Sequence, residues 1–311
     1  MSKSIFSAPQ FNDEAAAYAF VEAHLWADGR VCPHCGVVDR SGALKGKSNR
    51  IGLYKCYACR KPFTVKVGTI FEASHIQMRD WLAAIHLICS SKKGISANQL
   101  HRTLGITLKS AWFMAHRIRE AFRPTGRPDP MGGDGGNVEV DETYYGRKPG
   151  YTGGRVGATH KYAVVSLVER GGRLRSLYMP ELRKADIHDV VKHHVSPKAR
   201  LHTDESILYF GIENWVASHD TVNHSSDEYV RGDATTNTVE GTFSIFKRGM
   251  VGTYQHCGVQ HLQRYLNEFD FRYSNRAKLG VDDEARAVKA LKGTAGRRLT
   301  YRTTRGQEAR A

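Results

Sequence analysis

The sequence predicts an α/β chain: a mixed sheet flanked by helices, preceded by one small module built around cysteines and one that is all helical. Three observations predict it. Two CxxC pairs stand near the N-terminus, Cys32/Cys35 in VCPHCG and Cys56/Cys59 in YKCYACR. Residues 78–122 carry apolar side chains at helical spacing. From residue 137, short β-branched runs alternate with polar residues and then give way to helical stretches. With 311 residues, and roughly 100–200 residues per domain, two or three domains are expected. The expected boundaries are an N-terminal helix over 1–28, the cysteine module over 29–72, the helical segment over 75–122, a linker over 123–136, the main domain over 137–278 and a basic tail over 279–311.

The chain carries 46 Lys and Arg against 31 Asp and Glu, a net charge of +15. Such an excess favours a polyanionic partner, most simply nucleic acid. No apolar run approaches the ~18 residues that a membrane span needs. The opening MSKSIFSAPQFNDEAAAYAF lacks the pattern of a signal peptide, so a cytoplasmic location is expected. In that compartment paired cysteines bind metal more often than they form disulfides.

Twenty residues separate Cys35 from Cys56, within the spacing of a CxxC…CxxC zinc site. Four thiolates saturate Zn²⁺ and leave no open position, so Cys32, Cys35, Cys56 and Cys59 predict a structural site. Gly36 permits the tight turn after the first pair. The flanking pieces IGLYK and KPFTVKVGTIF are short and β-prone, the composition of a zinc ribbon. A redox role needs a βαβ setting, which is absent. His34 is expected to face solvent, and Cys89 and Cys257 to be ordinary thiols.

In the helical segment, MRDWLAAIHLICSSKK places Trp81, Ile85 and Ile88 on one face, and Gly94 ends the helix. Ser96 is placed to cap SANQLHRTL. After a turn at Gly105, LKSAWFMAHRIREAF has Leu108, Trp112, Ala115, Ile118 and Phe122 at helical spacing, with Trp112 expected in the core. A short helix, a glycine turn and a longer basic helix make a helix-turn-helix. Lys109, Ser110, His116, Arg117 and Arg119 are then candidates to face DNA. The alternative is a three-helix bundle with a solvated basic face. RPTGRPDPMGGDGG reads as linker.

In the main domain NVEVDETYYG alternates, with Val138 and Val140 on one face and Glu139 and Asp141 on the other. HKYAVVSLVE and LRSLYMPEL are two further strands, DIHDVVKHHV a helix, and ARLHTDES a fourth strand with His202 and Asp204 on one face. A three-strand meander, a helix and a strand match the start of an RNase H-like fold. NTVEGTFSIFKRG is helical. At roughly 100° per residue, Asn237, Glu240, Ser244 and Lys247 form one stripe and Val239, Phe243, Phe246 and Met250 another. Lys247 is placed to meet a DNA phosphate or leaving group. Lys247 and Arg248 read equally as a solvated basic pair.

Most of the 31 acids are expected at the surface. Asp141 is different, because a carboxylate within an alternating strand is costly unless metal or hydrogen bonds satisfy it. Glu139 shares its face and is a candidate supporting residue; Glu142 points the other way. Two carboxylates on strands, Asp141 and Asp204, and one on a helix, Glu240, can meet at one face and hold two divalent metals. That apparatus attacks a phosphodiester with water or a DNA hydroxyl.

The ordered set CPHCG…YKCYACRKPFTVKVGTIFE, helix-turn-helix, VEVDETYYGRK, LHTDES, NTVEGTFSIFKRGMVGTYQH and HLQRYLNEFDFRYSNR resembles bacterial insertion-sequence transposases of the DDE type with an N-terminal zinc ribbon, over residues 12–278. The resemblance implies an RNase H-like catalytic domain, with Asp141, Asp204 and Glu240 as ligands of two Mg²⁺ or Mn²⁺ ions and Lys247 as the accompanying basic residue. It implies structural zinc, and double-stranded DNA (transposon ends and target) as partner, with Arg248 among the DNA contacts. The ribbon and helix-turn-helix would hold the inverted repeats, and joining two ends would need at least a homodimer. Strand cleavage by water and attack of the freed 3′-hydroxyl on target DNA would follow. No covalent protein–DNA intermediate is needed, so Tyr144, Tyr145 and Tyr254 are not nucleophile candidates. Two alternatives stay open: a DNA-binding regulator whose RNase H-like domain is inactive, and a metal-dependent nuclease without strand transfer.

Overall fold

Asp13 starts the first helix. Its carboxylate accepts from the Ala16 amide at 2.7 Å, and α1 runs Glu14–Leu25. The computed structural model describes residues 4–46, 48–126, 129–148, 150, 160–222, 233 and 235–300. These fall into two compact units, one drawn from residues 1–90, 95–122 and 283–311 and the other from 91–94 and 123–282.

In the first unit β1 (Ser41–Ala43), β2 (Tyr54–Cys56) and β3 (Pro62–Phe63) form an antiparallel ribbon in that order. Helices α2 (Met78–Ser90), α3 (Ala97–Leu104) and α4 (Leu108–Ala121) follow. Trp81, Ile85 and Ile88 of α2 are buried, as the periodicity predicts. Ser96 caps α3, accepting from the Gln99 amide at 3.1 Å, and Gly105 ends it at φ 65°.

Two expectations are corrected here. The buried face of α4 is Ala111, Met114, Ala115 and Ile118, against which α2, α3 and α8 pack. Trp112 is 39% exposed and Leu108 44% exposed, so neither is core. The helix has apolar side chains on most of its circumference, and packing partners choose the face. The basic tail expected from residue 279 contains helix α8, Asp283–Lys292, whose Ala290 and Leu291 are buried. Arg286 donates to the Cys89 carbonyl at 2.9 Å, which ties α8 to the end of α2. Beyond it, the Gly296 amide donates to the Gly68 carbonyl at 2.8 Å. Residues 301–311 of that expected tail lie outside the described residues.

The second unit is a five-stranded sheet of β4 (Asn137–Tyr145), β5 (Tyr162–Glu169), β6 (Leu174–Met179), β7 (Arg200–Asp204) and β8 (Ser218–Val222). The order is β6-β5-β4-β7-β8. β4, β5 and β6 are antiparallel, while β7 runs parallel to β4 and β8 parallel to β7. This is the mixed, RNase H-like arrangement that the meander and crossover predict, with β8 as the strand the sequence did not reveal. SHDTV is short and half polar.

One sheet face, including Val138, Val140, Leu167 and Leu201, packs with Ile187, Val190 and Val191 of α5 (Lys184–His194). The other packs through Val164 on Phe246 and Met250 and on Leu262, Leu266 and Phe269, side chains of α6 (Asn237–Gly249), the π-helical turn Met250–Tyr254 that follows it, and α7 (Val259–Ser274). No described helix is long and apolar enough to cross a membrane.

Candidate active site and zinc centre

The parallel register of β4 and β7 sets Glu139 opposite His202. Two residues further along both strands, Asp141 and Asp204 stand at the same level, at the end of β7. Helix α6 brings the third carboxylate. Val239, Phe243, Phe246 and Met250 are buried, and Asn237, Glu240, Ser244 and Lys247 are exposed, so both stripes fall as the helical arithmetic predicts. Asp141, Glu142, Glu240, Ser244, Lys247 and Arg248 line an open cleft of about 450 Å³.

The electrostatics of the cleft are those of crowded acids. Burial pushes the Asp141 carboxyl up to about 7, and the charges of Glu142, Asp204 and Glu240 push the same way, against a 2.7 Å hydrogen bond from the Glu142 amide. Burial also raises Glu142, as does Asp204, while the Tyr209 hydroxyl, donating to its Oε2 at 2.6 Å, opposes them. The donors are hard oxygens carrying excess negative charge, which suits Mg²⁺ or Mn²⁺ rather than a softer ion. Among the described residues only the four ribbon cysteines bring three or more metal-ligand atoms within 4.8 Å of one another, so the fold places Asp141, Asp204 and Glu240 as neighbours without gathering them to ligand distance, and Asp204 stands outside the lining of the cleft.

Glu142 is the functional candidate that the sequence did not give. Strand alternation sends it to the face opposite Asp141, and there it meets Tyr209. Both residues nevertheless border one cleft, between β4 and α6. The adjacent acids at 141 and 142 were the available signal; the partner that fixes Glu142 is 67 residues away.

Glu139, expected beside Asp141, is fully buried and joins β4 to the start of α6. Its Oε2 accepts from the amides of Thr238 and Val239 at 2.8 and 3.0 Å. Its Oε1 accepts from the Thr238 hydroxyl at 2.8 Å and from Arg170 Nε at 2.7 Å. Arg170 also donates to the Thr235 carbonyl at 3.1 Å. The strand that carries Asp141 thus caps the helix that carries Glu240, where a carboxylate also meets the positive end of the helix dipole. His202, on the face of Asp204, is buried with Nε2 3.1 Å from Asn137 Oδ1, and burial lowers its pKa.

In the ribbon, Cys32 and Cys59 Sγ are 3.7 Å apart, as are those of Cys35 and Cys56. A tetrahedron with Zn–S bonds of 2.3 Å has edges of about 3.8 Å, so the four sulfurs match the ion. The Cys59 and Ala58 amides favour the Cys56 thiolate, the form a metal requires. His34 stands outside the cluster, 3.3 Å from the Pro62 carbonyl. Stripping zinc with a chelator, or replacing Cys56 with Ser, is expected to unfold the ribbon while leaving the second unit's transition in place. Two-stage thermal melts followed by circular dichroism would check this.

The DNA-facing candidates divide. Lys109 is exposed and Ser110 half-buried at the start of α4, and Arg248 is exposed at the cleft. His116, Arg117 and Arg119 are buried, contrary to expectation. Arg117 Nε donates to the Leu299 carbonyl at 3.1 Å, its guanidinium lies 4.9 Å from the Phe113 ring, and burial lowers its pKa. The C-terminal segment therefore covers what the sequence offered as a basic face. Trp112→Ala and Lys109→Ala are expected to weaken DNA binding about tenfold or less with unchanged melting temperature. Arg117→Ala is expected to lower the melting temperature instead, by roughly 1–3 kcal/mol of stability. Anisotropy titration and thermal melts separate the two effects.

Comparison with known proteins gives an ISXO2-like transposase domain over residues 134–274 and a transposase zinc-ribbon domain over residues 12–62. A Halobacterium salinarum protein described as an uncharacterized protein in transposable element ISH50 is 26% identical over 305 residues, 92% of this chain and 98% of that protein. The crystal structure of the Mos1 strand transfer complex aligns with 68% of this chain and 74% of its own, at 11% identity and a TM-score of 0.28. The Mos1 paired end complex with Mn gives 68%, 75%, 11% and 0.27. Likeness that slight carries no weight for fold or function. The ribbon and the catalytic domain, in this order, define a DDE transposase, an enzyme of the polynucleotidyl transferase and endonuclease class. Within that class, both matched domains are those of insertion-sequence transposases of the IS1595 type.

Proposed function

We propose that this transposase cuts DNA at the ends of its element and joins the resulting 3′-hydroxyls to target DNA at the cleft between β4, β7 and α6. One observation carries the reading: Asp141 on β4 and Glu240 on α6 line one cleft, with Asp204 level with Asp141 on the adjacent parallel strand, a crowding of acids that divalent cations relieve. Asp141, Asp204 and Glu240 would hold two Mg²⁺ or Mn²⁺ ions. Such ions supply an activated water and neutralise charge on the phosphoryl oxygens. The chain's own residues orient and bind. Lys247 and Arg248 line the cleft and neutralise DNA phosphates. Tyr209 fixes Glu142, and Glu139 fixes the start of α6. No tyrosine nucleophile is required.

Double-stranded DNA of the transposon ends and of the target is the proposed partner, and the bacterial cytoplasm the proposed place of action. The exposed start of α4 is the proposed reader of the ends, since recognition helices contact bases with their N-terminal residues. Bringing two ends together implies a homodimer or higher assembly.

The test combines purified zinc-loaded protein, labelled terminal-repeat DNA, Mg²⁺ and a target plasmid. Joined products are the expected result. Cleavage without joining would instead identify a nuclease, and binding without cleavage a regulator.

A further inference from the structure

The segment that follows Asp204 carries an unusual surface. Ile207 is 81% exposed, Phe210 73% and Trp215 41%. Three of the four large apolar side chains exposed among the described residues of this unit therefore lie within twelve residues of one catalytic carboxylate. Scattered single exposures need no explanation, but a cluster does.

The cluster is not purely apolar. Helix α5 runs alongside the two short 3-10 turns of this segment, Ile207–Tyr209 and Ile212–Trp215. It sets Lys184 Nζ 4.8 Å from the centre of the Phe210 ring and Lys192 Nζ 3.7 Å from that of Trp215. Lys184 and Lys192 are eight residues apart, two helical turns, so they share one stripe of α5. Each ring thus has an ammonium beside it, held there by the ring's own quadrupole. The strip is also fixed to the cleft. Tyr209 lies between Ile207 and Phe210 and donates to Glu142, and the Ser206 amide donates to Asp204 Oδ1 at 3.0 Å.

Exposed rings interleaved with cations fit an unpaired nucleic-acid strand, whose bases stack and whose phosphates pair. They fit a protein partner less well, since lysine is depleted at the core of such interfaces. A fully paired duplex offers its bases only at the edges, leaving the ring faces unused.

We infer that Ile207, Phe210 and Trp215, with Lys184 and Lys192, form a platform for unpaired nucleotides of the DNA strand leaving the cleft beside Asp204. The inference rests on the DNA-cleaving reading of that cleft and adds the form of DNA held there: a frayed or single-stranded end. Stacking is tolerant of base identity, so the platform acts on any sequence.

The test measures binding of the full-length, zinc-loaded protein without divalent cation, so that no cleavage occurs. The probes are a labelled blunt duplex and the same duplex with a short single-stranded overhang. The wild type is expected to bind the overhang form about tenfold more tightly. Phe210→Ala and Trp215→Ala should each remove that preference and leave blunt-duplex affinity unchanged. Both side chains are exposed, and Lys184→Ala with Lys192→Ala gives a second route to the same loss. The platform is refuted if the wild type shows no preference, or if the variants keep it or weaken both probes alike. It is equally refuted if the aromatic variants keep the preference but shift sedimentation from dimer to monomer, which would make the patch a self-interface. A protein that prefers the overhang but never joins DNA would retain the platform and lose the transposition reading.

Discussion

Asp141→Asn abolishes cleavage and joining, leaves DNA binding within about twofold, and makes the protein more stable. The first effect follows from losing one of the three carboxylates proposed to hold metal, which removes charge stabilisation worth orders of magnitude in rate. Binding survives because Lys247, Arg248 and the exposed start of α4 are untouched. The third effect separates a functional carboxylate from a structural one. Burial and like charges place Asp141 near 7 rather than in the ordinary carboxylate range, so its ionised form opposes folding at neutral pH. A neutral amide of the same shape relieves that opposition. The gain should be on the order of 1–3 kcal/mol, less than the full shift implies because the side chain keeps some solvent contact. Thermal melts in chelator, beside a cleavage assay in Mg²⁺, check both halves. A variant that loses stability together with activity would mark Asp141 as a structural residue.

Glu139→Ala has the opposite signature. It leaves four donors without their acceptor: two amides and a hydroxyl at the start of α6, and the Arg170 guanidinium. Removing one partner of a buried ion pair costs about 3–5 kcal/mol. Glu139→Gln is not conservative here. The amide nitrogen of glutamine would face the Thr238 and Val239 amides in one orientation and the Arg170 guanidinium, beside a Thr238 hydroxyl that can turn to accept, in the other, so at least one obligatory donor is left unpaired. A loss of roughly 2–3 kcal/mol is expected for Gln. Activity should fall with the melting temperature in both variants, because Glu240 sits on the helix that loses its cap. The fall in activity should be partly recovered at raised Mg²⁺, since a displaced ligand weakens metal affinity more than it alters the chemistry. Activity that ignores Mg²⁺ concentration would confine Glu139 to a stability role.

Much of the site was legible because its parts obey local periodicities. Period-two alternation placed Asp141 against Val140, and roughly 100° per residue placed Glu240 and Lys247 on one stripe of α6. The cysteine spacing announced the ribbon directly. What escaped depended on distant partners. Helix α4 carries Leu108, Trp112, Phe113, Met114 and Ile118 around most of its surface, so its buried side was set by α2, α3 and α8. Its inward His116, Arg117 and Arg119 defy the rule that charged groups stay outside, because the returning C-terminal segment supplies partners such as the Leu299 carbonyl. DEARAVKALK reads as a solvated tail until the face of α2 is known to receive Ala290 and Leu291. Glu142 likewise needed Tyr209, which no local pattern connects to it.

Counting Mn²⁺ ions bound to the zinc-loaded protein, by electron paramagnetic resonance during a titration, tests the three-carboxylate site most directly. The wild type should take up two ions per chain, and Asp204→Ala should lose that uptake with its zinc and its fold intact. An Asp204→Ala protein that binds Mn²⁺ with wild-type number and affinity would contradict the assignment of Asp141, Asp204 and Glu240 as the metal-holding centre.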